Sequence, residues 1–333
     1  VIFARTGFAR FAAGLLAAVS ALAPSRALPQ SPDFAQLPGW SSDRVAEVIP
    51  LFAESCPRLD PSFRAACQEV GRVPRGDEAA ARSFVQWAFR PAYVGDALFT
   101  GYFELDVAGS RVPGGPYQWP LLRPPPDPRR YSRAQVLSGA LAGRGLELVW
   151  FASAADLYFV QLQGSARVHL PDGRVMRVGG AAQNGFGSIP TADLFGDAGI
   201  PNHDLSIPAI RAWAAAHPAE AQARLAREQS YFFFAERPLA ADQGPLGALG
   251  VPLAPLRSAA VDPKNIRFGS LMWVNTEISA MHRPLQRLFL AQDSGEPIHG
   301  PVHVDLFFGP GPRAEAIGGR EDARGGLWVL VPR

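Results

Sequence analysis

From Gly244 to the C-terminus the chain is a succession of short apolar runs separated by Gly and Pro. They are Ala259-Ala-Val261, Leu271 to Asn275, Gln286 to Gln292, Val302 to Phe308 and Leu327 to Val331. Runs this short, rich in β-branched and aromatic residues and closed by turn formers, predict strands. Five or six such strands in succession predict a closed barrel. The same punctuation extends through the chain, where 33 Gly and 32 Pro make up nearly a fifth of 333 residues, more than an all-helical protein would tolerate. The fold class expected is therefore mainly β with α, an α+β protein.

Upstream of the barrel pattern the reading changes twice. Residues 41–90 look helical: Ser42 or Asp43 can cap a first segment that Pro50 shortens, and Asp77 precedes a run with Phe84 and Ala88 on one face. From Phe99 strand patterning takes over, first in Phe99-Thr-Gly-Tyr-Phe-Glu-Leu-Asp-Val107, then in Leu146 to Phe151, Leu157 to Gln163 and Arg167 to Val178. Pro171-Asp172-Gly173 lies at the centre of the last of these and predicts a hairpin turn. Ser132 is placed to cap a short helix, Ser206 with Pro208 to open a longer one, and His217-Pro218 to end that helix and begin another.

The N-terminus carries Arg5 and Arg10, then an apolar run from Phe11 to Ala23, then Ser25-Arg26-Ala27. That order predicts a secretory signal peptide over residues 1–27, the run being shorter than the roughly 20 residues a spanning helix needs. No cysteine follows the run at a lipid-attachment position, so a soluble exported form is expected. In an oxidising compartment Cys56 and Cys67, the only two cysteines, are expected to pair. The formal net charge of +2 leaves no basic surplus to follow a nucleic-acid backbone. His299 and His303 are four apart, but Gly300 and Pro301 between them exclude a helical metal site, and no cofactor motif is present; no metal and no cofactor are expected.

Three aspartates punctuate the C-terminal strands: Asp262 in Ala260-Val-Asp-Pro263, Asp293 in Ala291-Gln-Asp-Ser-Gly295, and Asp305 in Val304-Asp-Leu-Phe-Phe-Gly309. A carboxylate within an apolar run is costly to bury, so it is hydrogen-bonded, paired or held protonated. Asp262 before a proline reads equally well as a turn cap, whereas Asp305 has only strand formers around it. Gln161, Gln163 and Ser165, with Gly164 between them, supply short polar groups suited to sugar hydroxyls and acetamides, and read equally well as the polar outer face of a hairpin. Gln183-Asn184-Gly185 is a second polar turn.

Seven segments occur in an order that resembles the membrane-bound lytic murein transglycosylase A family with its C-terminal three-aspartate domain. They are Thr100-Gly-Tyr-Phe-Glu104, Gly143-Arg-Gly-Leu-Glu147, Val160-Gln-Leu-Gln-Gly-Ser165, the run from Gly244 to Leu253, Ala291-Gln-Asp293, Gly300-Pro-Val302 and Asp305-Leu-Phe-Phe-Gly309. The resemblance implies a double-psi β-barrel at 239–333, a second barrel-like β-domain inserted at 101–238, N-terminal helices at 28–100 packing on the barrel, and a glycan groove between the two β-domains. It implies that Asp305 is the single catalytic residue, in cleavage of the β-1,4 bond between N-acetylmuramic acid and N-acetylglucosamine with formation of a 1,6-anhydromuramoyl end. Tyr102, Glu104, Gln161, Gln163, Gly164, Ser165, Gln183, Asn184 and Asp293 are the residues expected to contact the strand. Peptidoglycan is the expected partner, cell-wall synthesis or divisome proteins the partners such an activity would call for, and a monomer in the periplasm, associated with the outer membrane in the manner of the family's name, the expected state.

The chain departs from the family between its last two aspartates, with Gly295-Glu-Pro-Ile-His-Gly300 where members read Gly-Gly-Ala-Ile-Lys-Gly. The loop length is kept, but Glu296 and His299 change the local charge. Two other readings stand beside the transglycosylase: a hydrolase pairing Asp305 with Glu104, Asp293 or Glu296, and a non-catalytic glycan-binding barrel.

Overall fold

The computed structural model describes residues 33–201, 205–295 and 298–333. The leader read at 1–27 and the carboxylate of Glu296 lie outside the described residues. Three short helices open the fold: α1 (Ile49–Ser55), α2 (Arg64–Val70) and α3 (Glu78–Ala88). Pro50 sits in the first turn of α1, where its missing N–H costs nothing, and the Asp77 carboxylate caps α3 by accepting from the Ala80 N–H. Phe84 and Ala88 are buried on one face of α3.

The long strand β1 (Phe89–Ser110) organises everything that follows. After it come β2 (Trp119–Leu122), α4 (Arg133–Leu137), β3 (Glu147–Phe151), α5 (Ala154–Gln163), β4 (Ser165–His169), β5 (Val175–Gln183), α6 (Thr191–Phe195), α7 (Ile207–Ala216), α8 (Pro218–Leu225) and β6 (Phe232–Glu236). The C-terminal part supplies β7 (Ser258–Ala260), β8 (Leu271–Ile278), β9 (Arg283–Asp293), β10 (His303–Pro310), α9 (Pro312–Gly318) and β11 (Asp322–Pro332).

Six strands close a barrel in the order β10-β7-β9-β8-β11-β1, with β1 returning to pair with β10. Two of the six pairings, β1 with β10 and β7 with β9, are parallel, and the other four are antiparallel. Closure leaves no exposed edge and lets a dry core of Phe99, Met272, Phe289, Val304, Leu306 and Leu327 form. The N-terminal helices cover a second face, where Phe52, Phe63, Val85 and Phe89 pack with Trp273, Leu288 and Leu330.

Asp43 secures that covering. Its oxygens accept from both terminal nitrogens of Arg257, each at 2.9 Å, and from the Leu288 N–H, while the Arg257 Nε donates to Glu47. Asp43 therefore ties the N-terminal segment to the barrel and is not the helix cap its position suggested. Cys56, just after α1, and Cys67, in α2, form a disulfide with Cα atoms 5.6 Å apart. Breaking it, by reduction or by Cys56→Ser with Cys67→Ser, is expected to lower stability by about 2–3 kcal/mol, the size for a loop this short. Thermal unfolding with and without reductant reads that loss, and an unchanged midpoint would contradict it.

Past residue 104, β1 leaves the barrel and pairs in parallel with β4, from Leu105 opposite Ala166 to Ala108 opposite His169. β4, β5 and β6 continue this second sheet, and β2 with β3 joins it through the end of β1. The hairpin between β4 and β5 turns at Pro171-Asp172-Gly173 as its residues predict. One segment differs from its sequence reading: residues 157–163, expected as a strand, belong to helix α5. Ser153 caps it and Gly164, in the left-handed region at φ 73°, ends it. Ala155, Leu157, Tyr158, Phe159, Val160 and Gln161 are all buried, so the helix lies in apolar surroundings on most sides and shows no amphipathic period by which to recognise it.

Candidate active site

The site lies where β1 crosses from the barrel to the second sheet. In the parallel register of β1 with β10, Thr100 stands opposite Asp305. Alternation along a strand then puts Thr100 and Tyr102 on one face, and His303 and Asp305 on the matching face of β10. The Thr100 hydroxyl donates to Asp305 Oδ1 at 2.8 Å and lies 3.1 Å from His303 Nε2. Gly101, between the two facing residues, permits this arrangement, because a Cβ there would lie 2.6 Å from the Gly318 carbonyl at the end of α9.

Asp293 approaches from the other side. Ala260 on β7 is opposite Asp305 in one register and opposite Asp293 in the other, so the two aspartates flank a single small residue from neighbouring strands. Both oxygens of Asp293 are engaged: Oδ1 accepts from the Ala248 N–H at 2.8 Å and the Ser294 N–H at 2.9 Å, and Oδ2 from the Tyr102 hydroxyl at 3.0 Å. Asp262, the third aspartate, is a turn residue. It accepts from the Lys264 N–H, the Asn265 side chain and the Gly300 N–H, which holds its carboxyl below the usual range and pins the loop that leads into β10.

Electrostatics separate these groups. Burial pushes Asp305 up to about 7, with the nearby Asp293 charge adding to the rise and the Thr100 hydrogen bond opposing it. Burial also raises Asp293, against the three hydrogen bonds it accepts. Tyr102 is held well above its ordinary value, by burial first and then by both aspartates, so it remains a donor. Burial and then His299 lower His303, leaving a neutral imidazole at neutral pH. A carboxylic acid poised near 7, with one oxygen fixed by a hydroxyl, can give a proton and take one back.

Several residues expected to face a sugar are committed elsewhere. Glu104 is 1% exposed, and its oxygens accept from Arg167 at 2.8 Å and from Arg177 at 2.7 and 3.0 Å. The register shift between Tyr102 and Glu104 breaks the alternation that would have carried it toward Asp305, and it holds β1, β4 and β5 together instead. Gln161 is buried in α5 between Arg133, at 2.6 Å, and the Phe232 carbonyl. Gln183 donates to Ser230, and buried Asn184 bonds the backbone of Tyr131, Gln229 and Tyr231, so this turn anchors the end of β5. Gly164 caps α5 and Ser165 is buried at the start of β4. Gln163, partly exposed, accepts from the Phe103 N–H at 3.2 Å and so touches β1 at the register shift beside the site. Thr100, which the sequence showed only as part of a segment, and His303, weighed there only as a metal ligand, are the two side chains the fold brings to Asp305.

Among known proteins, the chain matches the MltA specific insert domain over residues 98–235 and the 3D domain over residues 257–331. It is 30% identical to membrane-bound lytic murein transglycosylase A of Escherichia coli K12, covering 91% of this chain and 85% of that protein. The chain belongs to the membrane-bound lytic murein transglycosylase A family. Solved structures of this family share its fold. A membrane-bound lytic murein transglycosylase from Agrobacterium tumefaciens superposes with a TM-score of 0.81 at 28% identity, over 91% of this chain and 97% of that one. The lytic transglycosylase LtgG of Burkholderia pseudomallei is 37% identical with a TM-score of 0.63, over 91% and 94%. E. coli MltA with bound chitohexaose gives 0.71 at 28% identity, over 86% and 88%. The barrel with its inserted sheet is thus the transglycosylase A architecture, and Asp305 falls in the segment matched by the 3D domain.

Proposed function

We propose that this family member is a lytic transglycosylase that cleaves the β-1,4 bond between N-acetylmuramic acid and N-acetylglucosamine, with Asp305 as its one acid and base. The observation that carries this reading is the state of the carboxylates around the site. Among the described residues at the crossing of β1 and β10, Asp305 is pushed to about 7 and its Oδ2 has no hydrogen-bond partner, whereas Asp293 accepts three hydrogen bonds and Glu104 is held by two arginines. A hydrolase needs a second carboxylate to activate water or attack the sugar. A transglycosylase does not. The neutral acid protonates the glycosidic oxygen as the bond to C1 breaks, and the resulting carboxylate takes the proton from the C6 hydroxyl of the same muramoyl residue as that oxygen attacks C1. Asp305 ends with a proton again, and no water enters the product.

The glycan strand is proposed to run between the barrel and the inserted sheet, past Asp305, Tyr102 and Gln163. Residues 28–100, 101–238 and 239–333 are proposed as the N-terminal part, the inserted domain and the barrel domain, with residues 89–104 of β1 supplying the barrel's sixth strand from outside 239–333. No helix among the described residues is long and apolar enough to cross a membrane. A periplasmic site of action, at the outer membrane, is proposed with peptidoglycan as the partner; the disulfide suits such an oxidising compartment.

Digesting purified sacculi in isotopically labelled water tests the reaction class. The expected products carry no label at their new ends, while label at a reducing end would move the assignment to a hydrolase. Because the acid must be protonated at the start of each turnover, kcat is expected to fall as pH rises through about 7, the value to which Asp305 is pushed. Initial rates across pH check this, and a rate still rising above that value would exclude Asp305 as the acid.

A further inference from the structure

We propose that His303 is a positioning residue that fixes the direction of the Thr100 hydroxyl and thereby keeps the acidic proton of Asp305 on Oδ2. The inference rests on the reading of Asp305 as acid and base given above. It starts from the strand period: His303 and Asp305 are two apart on β10 and share a face, and the parallel register sets Thr100 beside both. The hydroxyl oxygen is 2.8 Å from Asp305 Oδ1 and 3.1 Å from His303 Nε2.

A hydroxyl has one proton to donate and two lone pairs with which to accept. If Thr100 donates to Oδ1, its oxygen is free to accept from His303, which requires a proton on Nε2. If Thr100 donates to Nε2 instead, Oδ1 loses its donor and the carboxyl proton can settle on either oxygen. The Nε2–H form of His303 therefore selects the first arrangement. Oδ1 then stays an acceptor whether Asp305 is neutral or ionised, and the proton that must reach the glycosidic oxygen occupies Oδ2, which the Thr100 bond leaves open. No proton passes along the chain; His303 acts only on the direction of a bond.

The ionisable groups around His303 come from several elements. Asp305 is on its own strand, His299 is in the preceding loop near Gly300, whose N–H is held by Asp262, and Tyr102 of β1 with Asp293 of β9 lies beyond Asp305. Across β1, Asp322 and Arg324 of β11 stand opposite Thr100 and Leu98. Of these, His299 bears on His303 directly, and its charge favours the neutral imidazole.

The test follows the Asp305 titration by NMR of isotope-labelled aspartate carboxyls in the substrate-free protein, together with kcat and KM on glycan strands. His303→Leu removes the donor that fixes the Thr100 hydroxyl and is expected to move the Asp305 titration to higher pH and to lower kcat about fivefold at unchanged KM, the size of one neutral hydrogen bond. His303→Gln places an amide donor near the same point and is expected to restore both to within about twofold of wild type, on the same reasoning. Thr100→Val, which removes the bond to Oδ1 itself, is expected to give a shift at least as large as His303→Leu, and adding His303→Leu to it to change nothing further. His303→Phe, a second donor-free variant, gives the same result if the leucine protein does not fold. A titration unmoved in the donor-free variants, or losses that multiply in the double variant, would overturn the proposal. Absence of anhydro products from the wild type would overturn the functional reading alone, since the titration shifts are read without substrate.

Discussion

Asp305→Asn is expected to lower glycan cleavage by about a hundred- to ten-thousandfold, the range for losing a general acid and base, while leaving strand binding in place. The same substitution is expected to stabilise the protein at alkaline pH. Burial raises the Asp305 pKa from 3.8 to about 7, so the folded state holds this proton more tightly than the unfolded chain does. Between those values the unfolded state loses the proton first, and stability falls as pH rises. Above about 7 the folded protein carries a partly desolvated carboxylate, a cost that asparagine avoids. The thermal midpoint of Asp305→Asn should therefore match wild type below pH 3.8 and exceed it increasingly toward pH 7. Equal midpoints at every pH would show that Asp305 is not held in the low-dielectric setting on which its acid role depends.

The second large effect belongs to Glu104, a residue of structure and not of substrate contact. Removing its carboxylate by Glu104→Ala leaves Arg177, 6% exposed, and Arg167, 19% exposed, facing each other with no anion between them. Breaking one side of a buried ion pair costs about 3–5 kcal/mol, because the remaining charge stays desolvated. The two arginines also donate to the carbonyls of Ala240, Ala241 and Gln243, so the loss should loosen the chain returning from the inserted sheet to the barrel as well as β1, β4 and β5. Chemical denaturation measures it. A loss below about 1 kcal/mol, as for an exposed pair, would mean the cluster is solvated and Glu104 is available to the groove after all.

The contrast between these residues shows what the sequence could disclose. Asp305 was legible because strand formers surround it, and a carboxylate in such a run demands an explanation. The barrel was legible because its strands are short and separated by Gly and Pro. Thr100 was not, since its role depends on β1 and β10 pairing in parallel across some two hundred residues, which no local pattern records. Glu104 misled because alternation from Tyr102 points it toward the site, and only the register shift between them turns it away. Gln161 and Asn184 misled for a related reason: a polar side chain in a strand-like run or a polar turn looks solvent-facing, but here buried Arg133 claims the first and the backbone of residues 229–231 the second. Helix α5 hid behind its own burial, its apolar residues giving no period to separate a helix from a strand.

The most direct test of the central claim is mass spectrometry of the soluble muropeptides that the wild type and Asp305→Asn release from purified sacculi. Anhydromuramoyl ends from the wild type and none from the variant are predicted, because one carboxylate performs both proton transfers. Reducing ends from the wild type, or anhydro ends still released by the variant, would contradict the assignment of Asp305 as the catalytic acid and base of a lytic transglycosylase.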